Sequence, residues 1–467
     1  MRKPYDFVVI GGGSAGYNAA QVACSLKKRV AIIDGARRLG GLCILRGCMP
    51  SKTLIYSAEV LHLARSGTDF GLRIPSATAN MAALHLRKKR IVEGFARHRA
   101  KQLATGGFDL IRSHARFVDP HTVELDDGQR IRSSHFLIST GSRVCVPPIP
   151  GLASVPFWTS DDVLELASKP RSVVLLGGGI VACELAQFLA RIGTKVCMIQ
   201  RSPHLLKGHS RESSRVITRA FSDEGIEVLA GTRIEGIESG PRGITVTFTR
   251  RGKSLTRRAD HLFNALGREP ETAGLSLGAA GVRTEEDGRI VTNRWQQTSV
   301  PHIYAAGDCC GPHEIVHVAI QQGELAARHS ARKKHIKPVN DALLLSVIFT
   351  DPQIGTIGWK EEDLREKGIK YKSASYPFRE HGRAILMNAK RGYVRVMADA
   401  KTARILGAEI VGKDAGELIH CFSTALAMRA TVQDMLRAPW YHPTLSEIIT
   451  YPLEDLANVT PRTAIPY

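Results

Sequence analysis

Two cysteines carry the strongest chemical potential in the sequence. Cys43 and Cys48 stand five positions apart, followed by Met49, Pro50, Ser51 and Lys52, and they open a helix-like stretch that runs through Ala64. Two thiols so placed at a helix start can close a small disulfide loop. The helix N-terminus and the ammonium of Lys52 favour the thiolate, which is the nucleophilic form. Two other readings fit the same residues: half of a zinc site, whose further ligands at metal spacing are missing nearby, or a pair of unreactive buried thiols. The adjacent Cys309 and Cys310 are a different case, because neighbouring cysteines rarely reach unstrained disulfide geometry. Their place before Gly311 and Pro312 predicts small buried residues.

The elements that must position the thiols form a repeated pattern. The strand-like Phe7–Ile10 leads into Gly11-Gly12-Gly13-Ser14-Ala15-Gly16, a helix to about Leu26, and a second strand, Val30–Ile33, that ends in Asp34. Much later, Ser172–Leu176 leads into Gly177-Gly178-Gly179-Ile180-Val181-Ala182, a helix through about Arg191, and the strand Lys195–Ile199. One such glycine loop is weak evidence, since ordinary strand-to-helix turns use glycine. Two loops, each with its strands and helix in place, predict two dinucleotide-binding βαβ units. The first glycine makes the tight turn, the second lets backbone amides approach a pyrophosphate, and the third lets helix and strand pack. Asp34, eighteen residues beyond Gly16, is placed to accept hydrogen bonds from a ribose.

The second unit differs at that acceptor. Its strand is followed by Gln200 instead of an acid, and Arg201 and Lys207 then supply cations that can receive a 2′-phosphate. NADPH is therefore favoured over NADH, against the alternative that both cations are solvated loop charges. Between the units lie a polar, strand-rich segment, Ala115–Ile138, then Thr140-Gly141-Ser142 and a proline-rich linker, Val146–Gly151. Short strands after the second unit run through Asn264-Ala265-Leu266-Gly267-Arg268, and Ile303–Asp308 places Asp308 at a strand end. From about Leu343 strands alternate with helices, ending in the loop Pro439–Thr444 and a helix, without a nucleotide signature.

With these motifs in order, the sequence resembles the pyridine nucleotide-disulfide oxidoreductases, the FAD flavoproteins that include dihydrolipoamide dehydrogenase, glutathione reductase and mercuric reductase. The resemblance covers essentially the whole chain and rests on Gly40–Lys52, both glycine fingerprints, Ala306-Gly307-Asp308 and His442-Pro443-Thr444-Leu445-Ser446-Glu447. It implies an α/β fold with two Rossmann-like domains, for FAD and NAD(P), and a C-terminal α+β dimerisation domain. The implied division is 1–150 and 270–340 for the two FAD segments, 151–269 for NAD(P) and 341–467 for the interface.

Roles follow from the resemblance residue by residue. Gly11, Gly13, Ser14, Gly16 and Asp34 would hold the ADP half of FAD; Gly41, Lys52, Thr140, Gly141 and Gly267 would lie on or beside it, and Asp308 would bind the ribitol side. Cys48 would be the flavin-proximal, charge-transfer thiol and Cys43 the thiol that exchanges with substrate. Lys52 would lie near the flavin and pair with Glu184, although such a pair can equally be a plain surface ion pair. Gly177, Gly179, Ala182, Glu184, Gln200, Arg201 and Lys207 would face NAD(P), an alanine at the third fingerprint position going with NADP in this family. His442, oriented by Glu447, would be the acid–base group delivered from the partner subunit of a homodimer. The chemistry of the residues agrees: a thiolate leaving a disulfide needs a proton, imidazole titrates near neutrality, and a carboxylate five residues on can fix its tautomer.

The expected activity is NAD(P)H-coupled reduction of a small disulfide, or oxidation of a dithiol such as a lipoyl group, with wording around His442 most like dihydrolipoamide dehydrogenase. Leu45 stands where many relatives carry Asn, which loosens any transfer of a particular substrate. A glutathione reductase-like activity is one alternative. A mercuric reductase-like reductase of metal ions or small oxidants is another, yet such enzymes usually add a C-terminal cysteine pair and lack the histidine, whereas here no cysteine follows Cys421. A third alternative, a non-catalytic basic binding protein on the same scaffold, draws only on charge.

Composition bounds these readings. A chain of 467 residues, 43% hydrophobic, can bury a substantial core, which excludes disordered and fibrous classes. Its 64 Lys and Arg against 44 Asp and Glu give +20, compatible with nucleic acid, a membrane surface or anionic cofactors. The basic residues are scattered, in short runs such as Arg87–Arg90 and Arg332–Lys334, with no aromatic-rich basic stripe, so neither nucleic acid nor membrane is expected as partner. Nine irregularly spaced cysteines, no apolar leader before Phe7 and no long apolar run predict a cytoplasmic protein without a disulfide scaffold.

Overall fold

Strands that are apolar along their whole length bury both faces, and that requirement organises the first part of the molecule. The computed structural model describes residues 3–460; the outermost ends of the expected first and last domains, 1–2 and 461–467, lie outside the described residues. Phe7–Ile10 and Val30–Ile33 are buried at every position and lie side by side in a five-stranded parallel sheet ordered Ile303–Ala305, Phe136–Ile138, Phe7–Ile10, Val30–Ile33, Asp109–Ile111. The helix Ser14–Ser25 covers this sheet with Ala15, Ala19, Ala20 and Ala23 and packs on the helix Val316–Ser330. Small residues let the two helices touch: a Cβ at Gly323 would lie 2.4 Å from the Ala15 carbonyl oxygen.

The second glycine loop sits in a parallel sheet of its own, ordered Glu227–Ala230, Lys195–Gln200, Ser172–Leu176, His261–Asn264. Its helix, Ile180–Arg191, is buried almost all round, because it is covered by the sheet on one side and by the thiol-bearing helix Cys48–Arg65 on another. The last part of the chain is antiparallel: Leu345–Ile348, Gln353–Gly358, Ile405–Gly412, Tyr393–Asp399 and Tyr371–Pro377 form five strands in that order, backed by the final helix Thr450–Val459.

The segment Ala115–Ile138 divides where the sequence reading kept it whole. Ala115–Asp119, Thr122–Leu125 and Arg130–Arg132 form a small antiparallel sheet, whereas Phe136–Ile138, buried throughout, inserts beside Phe7–Ile10. The basic run Arg87–Arg90 is partly buried. It lies on the long helix Met81–Ala104, capped by the Asn80 side chain, and its Lys88 is 2% exposed and pairs with Glu165 at 2.6 Å. Among the described residues no helix is long and apolar enough to cross a membrane.

Candidate active site

Glycine decides where the thiols go. Gly41 has φ +70°, and a Cβ there would lie 2.9 Å from Cα of Gly13, so the thiol-bearing segment rides directly on the first glycine loop. Cys43 lies in the short helix Gly41–Leu45, and Cys48 is the first residue of the helix Cys48–Arg65. Both are free thiols, partly buried, and their side chains share a hydrogen bond that polarises the pair. The thiol of Cys43 donates to Cys48 and holds Cys48 down to about 7 against the cost of desolvation, with help from the Lys52 ammonium. The same hydrogen bond, with burial, pushes Cys43 up. The pair as a whole therefore favours a thiolate on the Cys48 side, next to Lys52.

Lys52, one turn along the helix from Cys48, donates to Glu184 at 2.7 Å; Glu184 is 3% exposed. Its other oxygen accepts the backbone N–H of Phe349 at 2.9 Å, and the Lys52 ammonium sits 4.8 Å from the centre of the Phe349 ring. The pair is therefore no surface ion pair: it joins the thiol helix, the second glycine-loop helix and the last sheet at one point. One and two turns further along that helix, Gln187 and Arg191 reach the same neighbour. Gln187 exchanges hydrogen bonds with the backbone of Asp351, and Arg191 bonds Glu224 (2.8 Å) and the Asp351 carboxylate (2.7 Å).

The two glycine loops fit dinucleotides. Gly11 (φ +102°) leaves no room for a side chain against the Ser139 carbonyl, whereas Gly13, at the N-cap of its helix, faces open space that a Cβ would fill. Asp34 is buried at the end of its strand, where it accepts the N–H groups of Gly12 and Ala36, each at 2.9 Å. Against Gly11 lies Thr140, whose Oγ1 is buried without a hydrogen-bond partner, and Gly141 and Gly267 face open space; a buried unpaired hydroxyl suits a polar group arriving from outside the chain. Asp308 accepts the Ser142 hydroxyl at 2.7 Å, and Arg268 donates to that hydroxyl at 2.8 Å. In the second loop Gly177 (φ +121°) is pressed on Ala265, Gly179 faces open space and Ala182 is fully buried. Leu206 donates to the Gly178 carbonyl at 2.7 Å, which folds 201–207 back over the loop with Arg201 and Lys207 exposed.

His442 and Glu447 form a second group. Nδ1 of His442 lies 2.9 and 3.1 Å from the two carboxylate oxygens of Glu447, which fixes Nε2 as the free nitrogen. Glu447 is buried, while the His442 side chain is 79% exposed beside a cavity of about 420 Å³ also lined by Trp440, Tyr451 and Glu454. Among the described residues no hydrogen bond or ion pair connects this group to the thiols. One chain thus brings Cys43, Cys48, Lys52 and Glu184 together and presents His442 outward.

Three contributors have no motif. Phe349 meets Glu184 across 165 positions. Arg99, on the long basic helix, stacks on Tyr17 at 4.3 Å, and its charge acts on Cys43 against the upward push. His381, fully buried, lies behind Glu447. Only basic clustering near Arg99 left a trace in the sequence. Cys309 and Cys310 are buried, and their thiols contact backbone carbonyls of Ile138, Ala306 and Gly307. No group of three or more metal-ligating side chains occurs among the described residues.

Residues 5–323 match the family described as Pyridine nucleotide-disulphide oxidoreductase, and residues 344–452 match its dimerisation domain, which supports a homodimer. The chain is 35% identical over 444 residues to a mercuric reductase of Bacillus cereus, covering 95% of this chain and 70% of that protein. It is 34% identical over 452 residues to a dihydrolipoyl dehydrogenase of Thermus scotoductus, covering 95% and 96%. Among solved structures, the HOCl-induced flavoprotein disulfide reductase RclA from Escherichia coli superposes with a TM-score of 0.85 at 26% identity, over 96% of this chain and 99% of that one.

Proposed function

The chain belongs to the pyridine nucleotide-disulphide oxidoreductases, and on that premise we propose that it reduces a small disulfide with electrons from NADPH through FAD and the Cys43–Cys48 pair. What supports this reading is the placement of Cys43 and Cys48 on two adjoining helices that ride on the first glycine loop, with the Lys52–Glu184 pair one turn from Cys48, where Cys43 and Lys52 favour the Cys48 thiolate. Gly11, Gly13, Thr140, Gly141, Gly267 and Asp308 would hold FAD, which when bound relays two electrons between nicotinamide and the disulfide.

The remaining chemistry belongs to the chain's own side chains. His442 of one protomer takes the proton from Cys43 of the other, and the Cys43 thiolate attacks one sulfur of the substrate disulfide. The substrate S–S bond breaks, a mixed disulfide forms at Cys43, and the leaving thiolate takes the proton back from His442. The Cys48 thiolate then attacks Cys43, closes the Cys43–Cys48 disulfide and releases the second thiolate, which is protonated from solvent through the same imidazole. Two electrons have then passed from the dithiol to the substrate, with one proton supplied by Cys43 and the second by solvent.

The test is a panel of lipoamide, glutathione disulfide and Hg(II), each with NADPH and NADH. His442→Ala should depress disulfide turnover about a hundredfold or more while dye reduction continues. Mixing Cys43→Ser and His442→Ala protomers should restore activity in heterodimers, because one of the two shared sites is then intact. A second reading, reduction of a metal ion held as substrate by the same thiols, is favoured by the likeness to a mercuric reductase. It gains if Hg(II) is turned over and His442→Ala is silent.

A further inference from the structure

Glu447 is enclosed from two sides, and only one of them is His442. Behind it lies His381, at 0% exposure, with Nε2 3.4 Å from Oε1 of Glu447. Neither ring nitrogen of His381 makes a well-formed hydrogen bond, the 3.4 Å approach of Nε2 to Glu447 included, an uncommon state for a buried imidazole that calls for a reason. The ring is wedged edge-on against Tyr451 of the final helix (6.0 Å, 79°), and Tyr451 stacks on Tyr376 of the last sheet at 4.1 Å. The Tyr376 hydroxyl is turned away to the Glu380 carbonyl, and Arg379 and Glu380 are exposed and paired with one another, so neither supplies charge to the ring. Glu447 and His442 are then the charged or titratable groups that His381 faces across the carboxylate. Among the described residues no lysine or arginine nitrogen comes within 4.0 Å of Glu447; two imidazoles share its charge.

A buried imidazole in this setting is held neutral: desolvation pushes His381 down and outweighs the nearby carboxylate. A neutral ring carries one N–H, and the atom facing Glu447 is Nε2. A hydrogen bond accepted by Oε1 from behind draws negative charge away from the side of the carboxylate that faces His442.

We propose that His381 is a positioning residue, which donates Nε2–H to Oε1 of Glu447 and, by holding and partly neutralising that carboxylate, sets the pH range over which His442 exchanges its proton with sulfur. This rests on the reading of His442 as the acid–base group. Without the second donor, Glu447 faces His442 with more of its charge and holds the imidazolium form longer. The limb of the disulfide-reduction pH profile that depends on His442 then moves to higher pH.

The experiment compares His381→Phe, which removes the donor, with His381→Asn, which keeps one, in the flavin-loaded dimer. The Phe variant should move that limb upward by about half a pH unit, the Asn variant should stay near wild type, and dye reduction should keep its profile in both. An unmoved limb in the Phe variant, whatever its rate, overturns the proposal, because a merely structural role changes rate or stability without moving the limb. Should the Phe variant fail to fold, 15N spectra of histidine-labelled wild-type enzyme decide, with the Asn variant identifying the His381 signals. A neutral ring protonated at Nε2 across about pH 6 to 9 supports the proposal, and a charged ring or the Nδ1–H tautomer overturns it. If His442→Ala leaves disulfide reduction intact, the His442 reading fails by itself, while the tautomer still reports whether His381 donates to Glu447.

Discussion

The first and second glycine loops share a backbone and differ in nearly everything that surrounds it. Gly11 and Gly177 have φ of +102° and +121°, and Gly13 and Gly179 cap their helices at nearly the same angles, facing open space. At the third position, however, a Cβ on Gly16 would lie 2.0 Å from the Gly11 carbonyl oxygen, whereas Ala182 is accommodated and fully buried. In the first unit the second strand, Val30–Ile33, is followed by Asp34, already bonded to the Gly12 amide; in the second unit the corresponding strand ends in Gln200. The first helix packs through alanines and a glycine within its own layer, while the second is tied to the last sheet by Glu184, Gln187 and Arg191. A shared loop conformation therefore specifies a dinucleotide, and its surroundings decide which one and how that site is coupled to the rest of the molecule.

The sharpest way to break this comparison is to exchange the third positions. Gly16→Ala places a methyl group against backbone that cannot yield as a flexible side chain does, and overpacking of that kind costs about 1 to 3 kcal/mol or more. The variant should be poorly folded or purify largely without flavin, as read from the flavin-to-protein absorbance ratio. Ala182→Gly should retain flavin and lose about 1 kcal/mol of stability. Full flavin content in Gly16→Ala would show that the two loops are equally spacious.

Next in size is the anchorage of the second helix. Arg191→Met removes the cation from between two carboxylates, Glu224 buried and Asp351 partly so, and breaking such a buried network costs about 3 kcal/mol. A melting curve should show the loss, and flavin content should hold, since the first loop has no part in the network. The Asp351 carboxyl resists burial but is held below its ordinary range by Arg191. Its contribution is present above the unfolded aspartate range and lost as the pH falls through the folded value. The difference between wild type and Arg191→Met should therefore shrink toward acid pH and be unaltered on the alkaline side.

A third comparison concerns the thiols that ride on the first loop alone. Lys52→Met removes a charge that favours the Cys48 thiolate, so the long-wavelength absorbance of the two-electron-reduced enzyme should titrate above the value of about 7 that the intact site imposes. Titration at an unchanged pH would assign the depression to the Cys43 hydrogen bond alone.

What is legible in the sequence is what the chain brings together locally. Both glycine loops, the Cys43–Cys48 spacing and the pairing of His442 with Glu447 depend on neighbours at most a few turns away, and their residue types imply their geometry. The short strand Phe136–Ile138 marks the limit: its three apolar residues say that they are buried but not which sheet they enter. Glu184 with Phe349, Arg191 with Asp351, and His381 with Glu447 are illegible for the same reason. Each contact joins elements from distant parts of the chain, and neither periodicity nor motif encodes which buried polar group will answer another.

The smallest expected effect tests the outer end of the second loop, where the comparison bears on cofactor choice. Gln200 offers no carboxylate to a ribose 2′-hydroxyl, and 201–207 is folded back over the loop by the hydrogen bond from Leu206 to Gly178. Arg201 and Lys207 are exposed, and among the described residues neither makes an ion pair, so both cations remain available to a phosphate. An exposed, screened charge-assisted contact contributes about 1 kcal/mol, roughly a fivefold change in KM. Arg201→Glu should therefore raise KM for NADPH by about that factor or somewhat more, since it adds repulsion, and leave KM for NADH nearly unchanged. The effect should fade at high salt, where an exposed pair is screened but a packing change is not. Equal KM values for the two nicotinamides in the unaltered enzyme would overturn the proposed preference for NADPH. An Arg201→Glu effect that is the same for both and indifferent to salt would mean that Arg201 shapes the loop without meeting the 2′-phosphate.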